Sequence, residues 1–439
     1  MNKKICIVVD HPGRDLAGYL NLINKLNNKN FLFYLVPFYN FREIYLIKPD
    51  AVILNHSRWI FKNFIKTLNE LNISIFVLDT EGGMITKDLI KKYFIFSGIK
   101  KNINVVDGYF VWSRNIKKNL ILHYNKINKK KLFVTGNPRF NFILSQRKKK
   151  LGTNVLINLN FATINPRYAS FESEKKLLIK QGKNKNWIDK YCDHQSKMRK
   201  KFIMLAGELA RSKFINKIII RPHPYENSSE YKELFYKFKK ITISQDEKLT
   251  DEINKSFVVI QNNCATSVDS ALLGRKSIFF QPFKSKYLDQ NFFLKISIVC
   301  KTPLEVISKI KYLKKIKKFE LENQLEKINN HFSYIKNDYK KFNNILKKKT
   351  NKINFEKNLL FLLFKNNELT FFFKTLLKIF FGKNISFFYN KNYRQKIITI
   401  KNIINIIKTS NKIDKFLLIK NIKKIKFLNF NLYTIKIKK

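Results

Sequence analysis

Short apolar runs alternate with amphipathic segments through the first 140 residues of the chain. The runs are rich in Val, Ile and Phe, and several end at a polar residue, a glycine or a proline. They are Ile5–Val9, Phe31–Val36, Ala51–Leu54, Ile73–Leu78, Tyr109–Val111 and Leu132–Val134. Between them, segments such as Leu16–Leu26 and Ile60–Leu71 repeat apolar residues at helical spacing. Continuous apolar strands that alternate with helices predict a parallel sheet covered on both faces.

The pattern restarts after the turn Gly136–Arg139 and the basic stretch Arg147–Lys150. A long helical region is predicted over about 172–211. The apolar runs of the second part are Asn154–Leu159, Lys217–Ile220, Ile241–Ser244, Phe257–Ile260 and Ser277–Phe280. The sequence therefore predicts an α/β protein with two tandem Rossmann-like domains, at 1–150 and 151–303. A Lys-rich, mostly helical C-terminal extension follows, with helices at 304–350 and a basic aromatic tail at 351–439 to which no fold is assigned. In such sheets, ligands bind at the carboxyl ends of the strands.

Positive charge dominates the composition. The 439 residues carry 87 Lys and Arg against 31 Asp and Glu, a formal net charge of +56. Lys, Asn, Ile and Phe are abundant throughout, as expected from a coding sequence rich in A and T. The tail is denser still, because residues 351–439 hold 20 Lys and Arg against 3 Asp and Glu. Aromatic residues, 14% of the chain, lie in apolar runs and form no basic stripe, so no specific nucleic acid is expected as a partner.

Cysteine spacing and hydropathy predict a cytoplasmic protein. The four cysteines are scattered, which excludes a disulfide framework and fits a reducing compartment. The first apolar run stops at Asp10, too short for a signal peptide, and no run reaches the length of a transmembrane helix. In the tail, Phe361–Phe364, Phe371–Phe373 and Phe380–Phe381 lie among lysines. They predict peripheral contact with the anionic cytoplasmic face of the inner membrane. A Lys-rich helical subdomain packed on the second domain is the alternative.

Two segments of the second domain favour phosphate binding. Arg221 and His223 follow the strand Lys217–Ile220 in an Arg-Pro-His-Pro turn. Arginine offers a forked donor, and imidazole donates to a phosphate or passes a proton. Thr266 and Ser267 open a helix predicted at 268–273, where backbone N–H groups and hydroxyls suit an anion. A structural turn and ordinary helix capping are the alternatives, but both segments lie at the same edge of one sheet.

Acidic and basic residues end strands of the first domain. Asp79 and Glu81, followed by two glycines, end the fourth strand, and either carboxylate suits a general base. A metal-binding acidic pair and a plain acidic loop are alternatives. Arg14 and Asp15 follow the first strand as further ligand contacts. Neither GxGxxG nor GxxxxGK[ST] occurs, which disfavours a dinucleotide redox enzyme and a P-loop NTPase. We expect no metal site and no cofactor.

Seven short motifs, in order between about residues 5 and 300, resemble those of the bacterial surface carbohydrate biosynthesis proteins. This group is GT-B-like and is related to capsule and lipopolysaccharide enzymes. The motifs are Asp10 with Arg14-Asp15-Leu16, Pro49-Asp50 with Leu54-Asn55 and Arg58, Leu78–Gly83, Tyr109–Trp112, Val134–Phe140, Arg221–Pro224 and Asn263–Ser267. The wider resemblance is to sialyltransferase-like and Kdo-transferase-like enzymes that use CMP-sugars.

The resemblance implies a glycosyltransferase of surface polysaccharide assembly. It implies a nucleotide-sugar donor, such as a CMP-sugar, and a polysaccharide or lipid-linked acceptor. By analogy, Glu81 or Asp79 is the catalytic base and His223 meets the donor phosphate. The implied nucleotide and phosphate contacts are Arg221, His223, Asn263, Thr266 and Ser267. The implied residues of the acceptor cleft are Arg14, Asp15, Asn55, Arg58 and Arg139. Transfer of a polyol phosphate from a CDP-polyol, and non-catalytic binding of a polyanion, are the alternative functions.

Overall fold

The structure is a computed structural model of the chain. It describes residues 2–26, 30–79, 105–124, 127–180, 182–245, 248–285, 289, 291–315, 326, 328, 338–350, 359–370, 373, 422–427 and 430–436. The chain forms two compact units. The first unit combines Met1–Ser145 with Asn329–Lys439, and the second unit is Gln146–Ile328.

The first unit begins with six parallel strands, each of which coincides with a predicted apolar run. They are β1 (Lys3–Val9), β2 (Phe31–Pro37), β3 (Ala51–Leu54), β4 (Ser74–Val77), β5 (Gly108–Val111) and β6 (Leu132–Val134). Every residue of β3, β4 and β5 is buried, as expected of strands covered on both faces. The helices are α1 (Ala17–Leu26), α2 (Ile44–Ile47), α3 (Lys62–Glu70), α4 (Arg114–His123) and α5 (Pro138–Ser145).

The second unit contains a six-stranded parallel sheet in the order β12-β11-β10-β7-β8-β9. Its strands are β7 (Asn154–Asn158), β8 (Ile218–Arg221), β9 (Ile241–Ile243), β10 (Ser256–Gln261), β11 (Lys276–Phe280) and β12 (Ile298–Cys300). Its helices are α6 (Phe171–Lys180), α7 (Lys185–Arg211), α8 (Ser229–Phe235), α9 (Leu249–Lys255), α10 (Thr266–Leu272), α11 (Asn291–Lys295) and α12 (Pro303–Lys315). Five of the strands were predicted, and the short edge strand β12 was not.

The long helical region predicted at 172–211 is two helices. Gly182 lies between them with a φ of 82°, a conformation that suits glycine because it has no Cβ. Asn184 then caps α7, since its side chain accepts a hydrogen bond from the backbone N–H of Trp187 at 2.8 Å. Apolar residues repeat at helical spacing through this region, but the turn at Gly182 divides it into two helices.

After the second unit the chain returns to the first through α13 (Tyr339–Lys349). The ring of Phe342 is fully buried and stacks on Phe110 with 3.9 Å between centroids. The Tyr339 hydroxyl accepts hydrogen bonds from Asn21 at 2.8 Å and from Asn141 at 3.0 Å. The predicted segment 304–350 therefore contributes α12 to the second unit and α13 to the first.

The end of the chain adds to the first sheet. Strands β13 (Ile422–Phe427) and β14 (Phe430–Lys436) form a hairpin, and β14 pairs antiparallel with β2. The full order of that sheet is β13-β14-β2-β1-β3-β4-β5-β6. A short helix, α14 (Leu359–Lys365), also packs on the first unit, beside α3. Among the described residues, no helix has the length and apolar composition needed to span a membrane.

We expect that Phe342→Ala lowers the free energy of unfolding of the first unit by roughly 3–5 kcal/mol, because it leaves a cavity beside Phe110. Urea unfolding followed by circular dichroism measures this change. Leu122→Ala is the matched control, since Leu122 is 58% exposed. We expect this substitution to change the free energy of unfolding by no more than about 0.5 kcal/mol. Equal stability of the two variants would contradict the placement of α13 in the core.

Candidate functional site

Each sheet reverses its direction of winding beside its first strand. In the first unit the chain passes from β1 to β2 on one side, and β3 then pairs with β1 on the other. In the second unit it passes from β7 through β8 to β9, and β10 then pairs with β7 on the opposite side. Ligands of open α/β sheets bind outside the carboxyl ends of the strands at such a reversal. The predicted site residues follow β1, β3, β4 and β6 in the first unit, and β8 and β10 in the second.

The residues after β1 form an ion-pair cluster. The Arg14 guanidinium lies 2.9 Å from the Asp10 carboxylate and 2.7 Å from that of Asp15. Both carboxylates are buried, and Asp15 also accepts the backbone N–H of His11 at 3.1 Å. One guanidinium thus faces two carboxylates. The predicted acceptor residues Arg14 and Asp15 contact each other directly, and they fix the turn between β1 and α1.

A small pocket opens beside this cluster. It brings together the predicted residues Asp15 and Arg139. Its lining is Asp15, Gly18, Tyr19, Leu78, Asn137, Pro138 and Arg139. Gly18 permits the close approach of α1 to α5, because a Cβ on it would lie 2.8 Å from the Arg139 backbone nitrogen.

Two buried polar groups of the pocket have no hydrogen-bond partner in the described part of the chain. They are the Tyr19 hydroxyl and the Asn137 side-chain N–H group. Burial, and next the Asp15 carboxylate, raise the pKa of Tyr19 well above its ordinary value, so this hydroxyl stays protonated. A buried donor without a partner costs about 1–3 kcal/mol. The pocket therefore offers donors that suit the hydroxyl or carboxylate oxygens of a ligand.

The next two strands of the sheet, β3 and β4, contribute further polar residues. Asn55, which follows β3, is fully buried, and neither polar atom of its side chain has a partner among the described residues. Arg58 is half-buried at the same strand end. The Asp79 backbone carbonyl, after β4, accepts the indole N–H of Trp112 at 2.6 Å. Glu81 lies outside the described residues.

The Asp79 carboxylate lies within electrostatic reach of two tyrosines. Burial is the main cause of the raised pKa of Tyr19 and of Tyr109, and the Asp79 charge contributes in the same direction to both. Tyr109 also shares a hydrogen bond of 2.8 Å with the hydroxyl of Ser57. Of the predicted pair Asp79 and Glu81, only Asp79 lies within the described residues. Its charge acts on Tyr19, which lines the pocket.

In the second unit, the turn after β8 orients the His223 ring. The backbone N–H of Tyr225 donates to its Nδ1 at 3.2 Å. Because Nδ1 accepts this bond, the neutral ring carries its proton on Nε2. Pro222 and Pro224 flank the residue and fix the backbone on both sides. His223 is thereby a hydrogen-bond donor at a defined position.

A buried carboxylate, Glu226, holds this turn. It is fully buried and accepts the backbone N–H groups of His223 at 3.2 Å and Phe161 at 3.0 Å. It also accepts the hydroxyl of Tyr231. Burial raises the pKa of Glu226 above its ordinary range. The Tyr231 hydroxyl in turn accepts from the Arg199 guanidinium at 2.8 Å. Glu226 thus links the His223 turn to the segment after β7 and to α8.

The predicted anion contacts after β10 are engaged within their own turn. The Ser267 hydroxyl donates to the Cys264 carbonyl at 2.9 Å, and the Thr266 hydroxyl lies 3.0 Å from the Cys264 sulfur. Asn263 adopts a φ of 46° and donates from its side chain to Asp289 at 3.1 Å. These contacts shape the turn, and the Ser267 proton is committed to a carbonyl.

In the described part of the second unit, a side-chain contact crosses the winding reversal of the sheet. Asn158, at the end of β7, donates to the Cys264 sulfur at 3.4 Å. Arg221 pairs in register with Asn158 on the neighbouring strand. Burial raises the pKa of the Cys264 thiol, which the Arg221 charge partly offsets. The structure therefore brings Arg221 and the turn after β10 to one edge, with a thiol that stays protonated.

No group of three or more His, Cys, Asp or Glu side chains converges in a metal-binding arrangement within the described ranges. The described polar groups at the two edges include hydroxyl, amide, imidazole and guanidinium donors. Such donors suit phosphate and hydroxyl oxygens.

Three residues of these sites were not predicted: Tyr19, Asn137 and Glu226. Tyr19 lies one helical turn after Asp15, a spacing that places both side chains on one face. Asn137 belongs to the turn that ends β6 and to the motif Val134–Phe140, but the sequence predicted no role for its side chain. Glu226 follows His223 by three residues, and nothing local distinguishes it from a surface carboxylate.

Neither a protein-family model nor a curated protein sequence matches the chain. Solved structures do. The UDP-GlcNAc 2-epimerase of Neisseria meningitidis, bound to UDP-GlcNAc, aligns over 79% of this chain and 100% of its own, with a TM-score of 0.50 and 11% identity. A protein of Listeria monocytogenes designated a UDP-N-acetylglucosamine 2-epimerase aligns over 79% and 95%, with the same score and identity. The wall teichoic acid polymerase TagF aligns over 79% and 88%, with a TM-score of 0.48 and 11% identity. The first two likenesses confirm the two-domain, GT-B-like α/β fold that the sequence predicted.

We expect that Glu226→Ala lowers the free energy of unfolding of the second unit by at least about 2 kcal/mol, because it leaves three buried donors without an acceptor. Chemical denaturation measures the change. Glu230→Ala is the matched control: Glu230 pairs with Arg199 at 2.5 Å but its side chain is 45% exposed, and such pairs contribute about 0–1 kcal/mol. A Glu226 variant as stable as the control would contradict the role of this carboxylate in the turn.

Proposed function

We propose that the chain is a GT-B-type glycosyltransferase that takes a sugar from a nucleotide-activated donor during assembly of a bacterial surface polysaccharide. The observation that carries the proposal is the gathering of polar groups at the winding reversal of each sheet. Its support from comparison is the fold of an epimerase solved with UDP-GlcNAc, which favours a nucleotide-sugar as the ligand. The seven motifs of the sequence support transfer in capsule or lipopolysaccharide synthesis.

We infer that the second unit receives the donor. The Nε2–H of His223 donates to an oxygen of the leaving phosphate, and the Arg221 guanidinium offers its forked donors to the same charge. Thr266, Ser267 and Asn263 border the nucleotide in this proposal. Donors that are oriented before the reaction stabilise the charge that develops as the bond between sugar and phosphate breaks.

We infer that the first unit binds the acceptor and supplies the catalytic base. The acceptor oxygen forms a bond to the anomeric carbon, and its proton passes to the carboxylate of Glu81 or Asp79. Tyr19, Asn137 and Asn55 supply donors and acceptors for the hydroxyl groups of a carbohydrate, beside Arg58 and Arg139. A cytoplasmic polysaccharide or lipid-linked sugar is the acceptor class in this proposal.

A thermal-shift screen against CMP, CDP, UDP and GDP, followed by incubation with the matching nucleotide-sugar, tests the proposal. We expect one nucleotide to stabilise the protein. We also expect the matching nucleotide-sugar to release that nucleotide when an acceptor is present. Epimerisation of UDP-GlcNAc without acceptor would identify an epimerase instead. Turnover of a CDP-polyol would identify a polyol-phosphate transferase. Salt-dependent nucleic-acid binding without any turnover would identify a polyanion binder.

His223→Ala is expected to reduce transfer by about 10²–10³-fold while the fold persists, because one oriented donor to the leaving phosphate is lost. Initial rates at saturating donor measure the effect. His123→Ala is the matched control, since His123 is exposed at the end of α4, and its rate should equal that of the wild type. An unchanged rate in the His223 variant contradicts the assignment.

Glu81→Gln is expected to abolish transfer and to leave nucleotide affinity nearly intact, because the base and the donor contacts belong to different units. Asp79→Asn is the comparison that locates the base. If the Asp79 variant is inactive and the Glu81 variant active, Asp79 is the base. If a chelator stops turnover of the wild type, the acidic pair binds a metal ion.

A further inference from the structure

The short helix α14 is fixed to the first unit by a buried face and a buried ion pair. Leu362 and Leu363 are 7% and 0% exposed. Directly after the helix, Glu368 is 1% exposed and lies 2.6 Å from the Arg42 guanidinium. A second contact of 3.2 Å makes this pair bidentate. Bidentate pairs set the orientation as well as the position of an element.

A second set of contacts joins the end of α14 to α3. Asn366 donates to the Glu70 carboxylate at 2.6 Å, and Lys365 lies 3.2 Å from it. The Asn366 hydrogen bond, and next the charges of Lys365 and Lys66, lower the pKa of Glu70. These contacts fix the end of the helix to the first unit, with two lysines grouped around one carboxylate.

The other face of α14 exposes large apolar side chains. Leu360, Phe361 and Phe364 are 54%, 61% and 69% exposed, and we call these three residues the apolar face. Positions 360, 361 and 364 lie on one side of a helix, opposite 362 and 363. Phe373, further along the chain, is also 52% exposed. Adjacent exposed apolar groups of this size mark an interaction surface.

Charge favours a lipid bilayer as the occupant of this surface. The chain carries +56, and residues 351–439, which include α14, hold 20 Lys and Arg against 3 Asp and Glu. A second copy would bring the same excess of positive charge and would be repelled. An anionic bilayer attracts each lysine by about 1 kcal/mol and accepts aromatic and aliphatic side chains between its headgroups.

We propose that the apolar face of α14 is a docking surface for an anionic lipid bilayer, with lysines of the segment 351–439 contacting the headgroups. This inference goes beyond the proposed reaction, and it does not depend on the identity of the sugar. It also narrows the sequence prediction, because Leu362 and Leu363 hold the helix to the protein while Leu360, Phe361 and Phe364 enter the lipid.

Co-sedimentation of the full chain with phosphatidylglycerol-rich vesicles tests the proposal, at about 0.05 M and about 0.5 M salt. The test variant is Leu360→Ser with Phe364→Ser. The matched control is Leu122→Ser with Leu304→Ser, two leucines that are 58% and 74% exposed elsewhere. We expect the wild type and the control to bind, and the test variant to bind at least about tenfold more weakly. Circular dichroism establishes that both variants remain folded.

Two outcomes would overturn the proposal. If the wild type ignores anionic vesicles at low salt, the surface does not bind lipid. If the test variant binds as the wild type does, the lysines alone carry the binding, and the apolar face has another occupant. Sedimentation velocity then identifies that occupant as a second copy if the wild type self-associates and the test variant does not. A wild type that keeps part of its binding at high salt supports insertion, because screening removes only the electrostatic contribution.

Discussion

The reversal of winding beside β1 and beside β7 is the constraint on which both candidate sites depend. Parallel strands end at a common edge, and the connections on the two sides of a reversal cover opposite faces of the sheet. The connections therefore leave the edge uncovered at that point, and polar side chains occupy it. In the first unit, Asp10 and Asn55 end the two strands that flank the reversal. In the second, Asn158 and Cys264 contact each other across it.

Orientation of a donor at such an edge requires a second layer of contacts. His223 is held by two prolines, by the backbone N–H of Tyr225 and by the buried Glu226. Burying a carboxylate is unfavourable unless hydrogen bonds compensate it, and Glu226 receives three. The first unit differs, because the donors of Tyr19 and Asn137 are buried without partners. The His223 turn is held by its own hydrogen bonds and presents a fixed imidazole. The edge of the first unit keeps buried donors that a ligand can pair.

The sequence was sufficient for the parallel strands β1–β11 and insufficient for the strands β12–β14 and for the partners of the basic helices. Buried parallel strands need apolar residues on both faces, so β3 and β10 stand out as continuous runs. Helix α13 has a clear apolar period, but no pattern in it specifies that Phe342 stacks on Phe110. The hairpin β13–β14 shares its Lys and Ile composition with the residues around it. Motifs at strand ends identified Asp15, Arg139 and His223 as candidates, because the end of a strand is marked by the residues next to it in the sequence. Glu226 depends on tertiary burial, which spacing does not encode.

The lysine excess has different physical meanings along the chain. In α13 the lysines flank a buried face, and their long side chains are compatible with water beside a packed helix. In α14 the lysine at the end of the helix pairs with Glu70, while apolar side chains point away from the unit. Composition alone treats 361–364 as one apolar block. The ion pair of Arg42 with Glu368 divides that block, because it fixes the rotation of the helix about its axis. Two leucines are then buried and two phenylalanines exposed, so the surface property depends on contacts that lie outside the block.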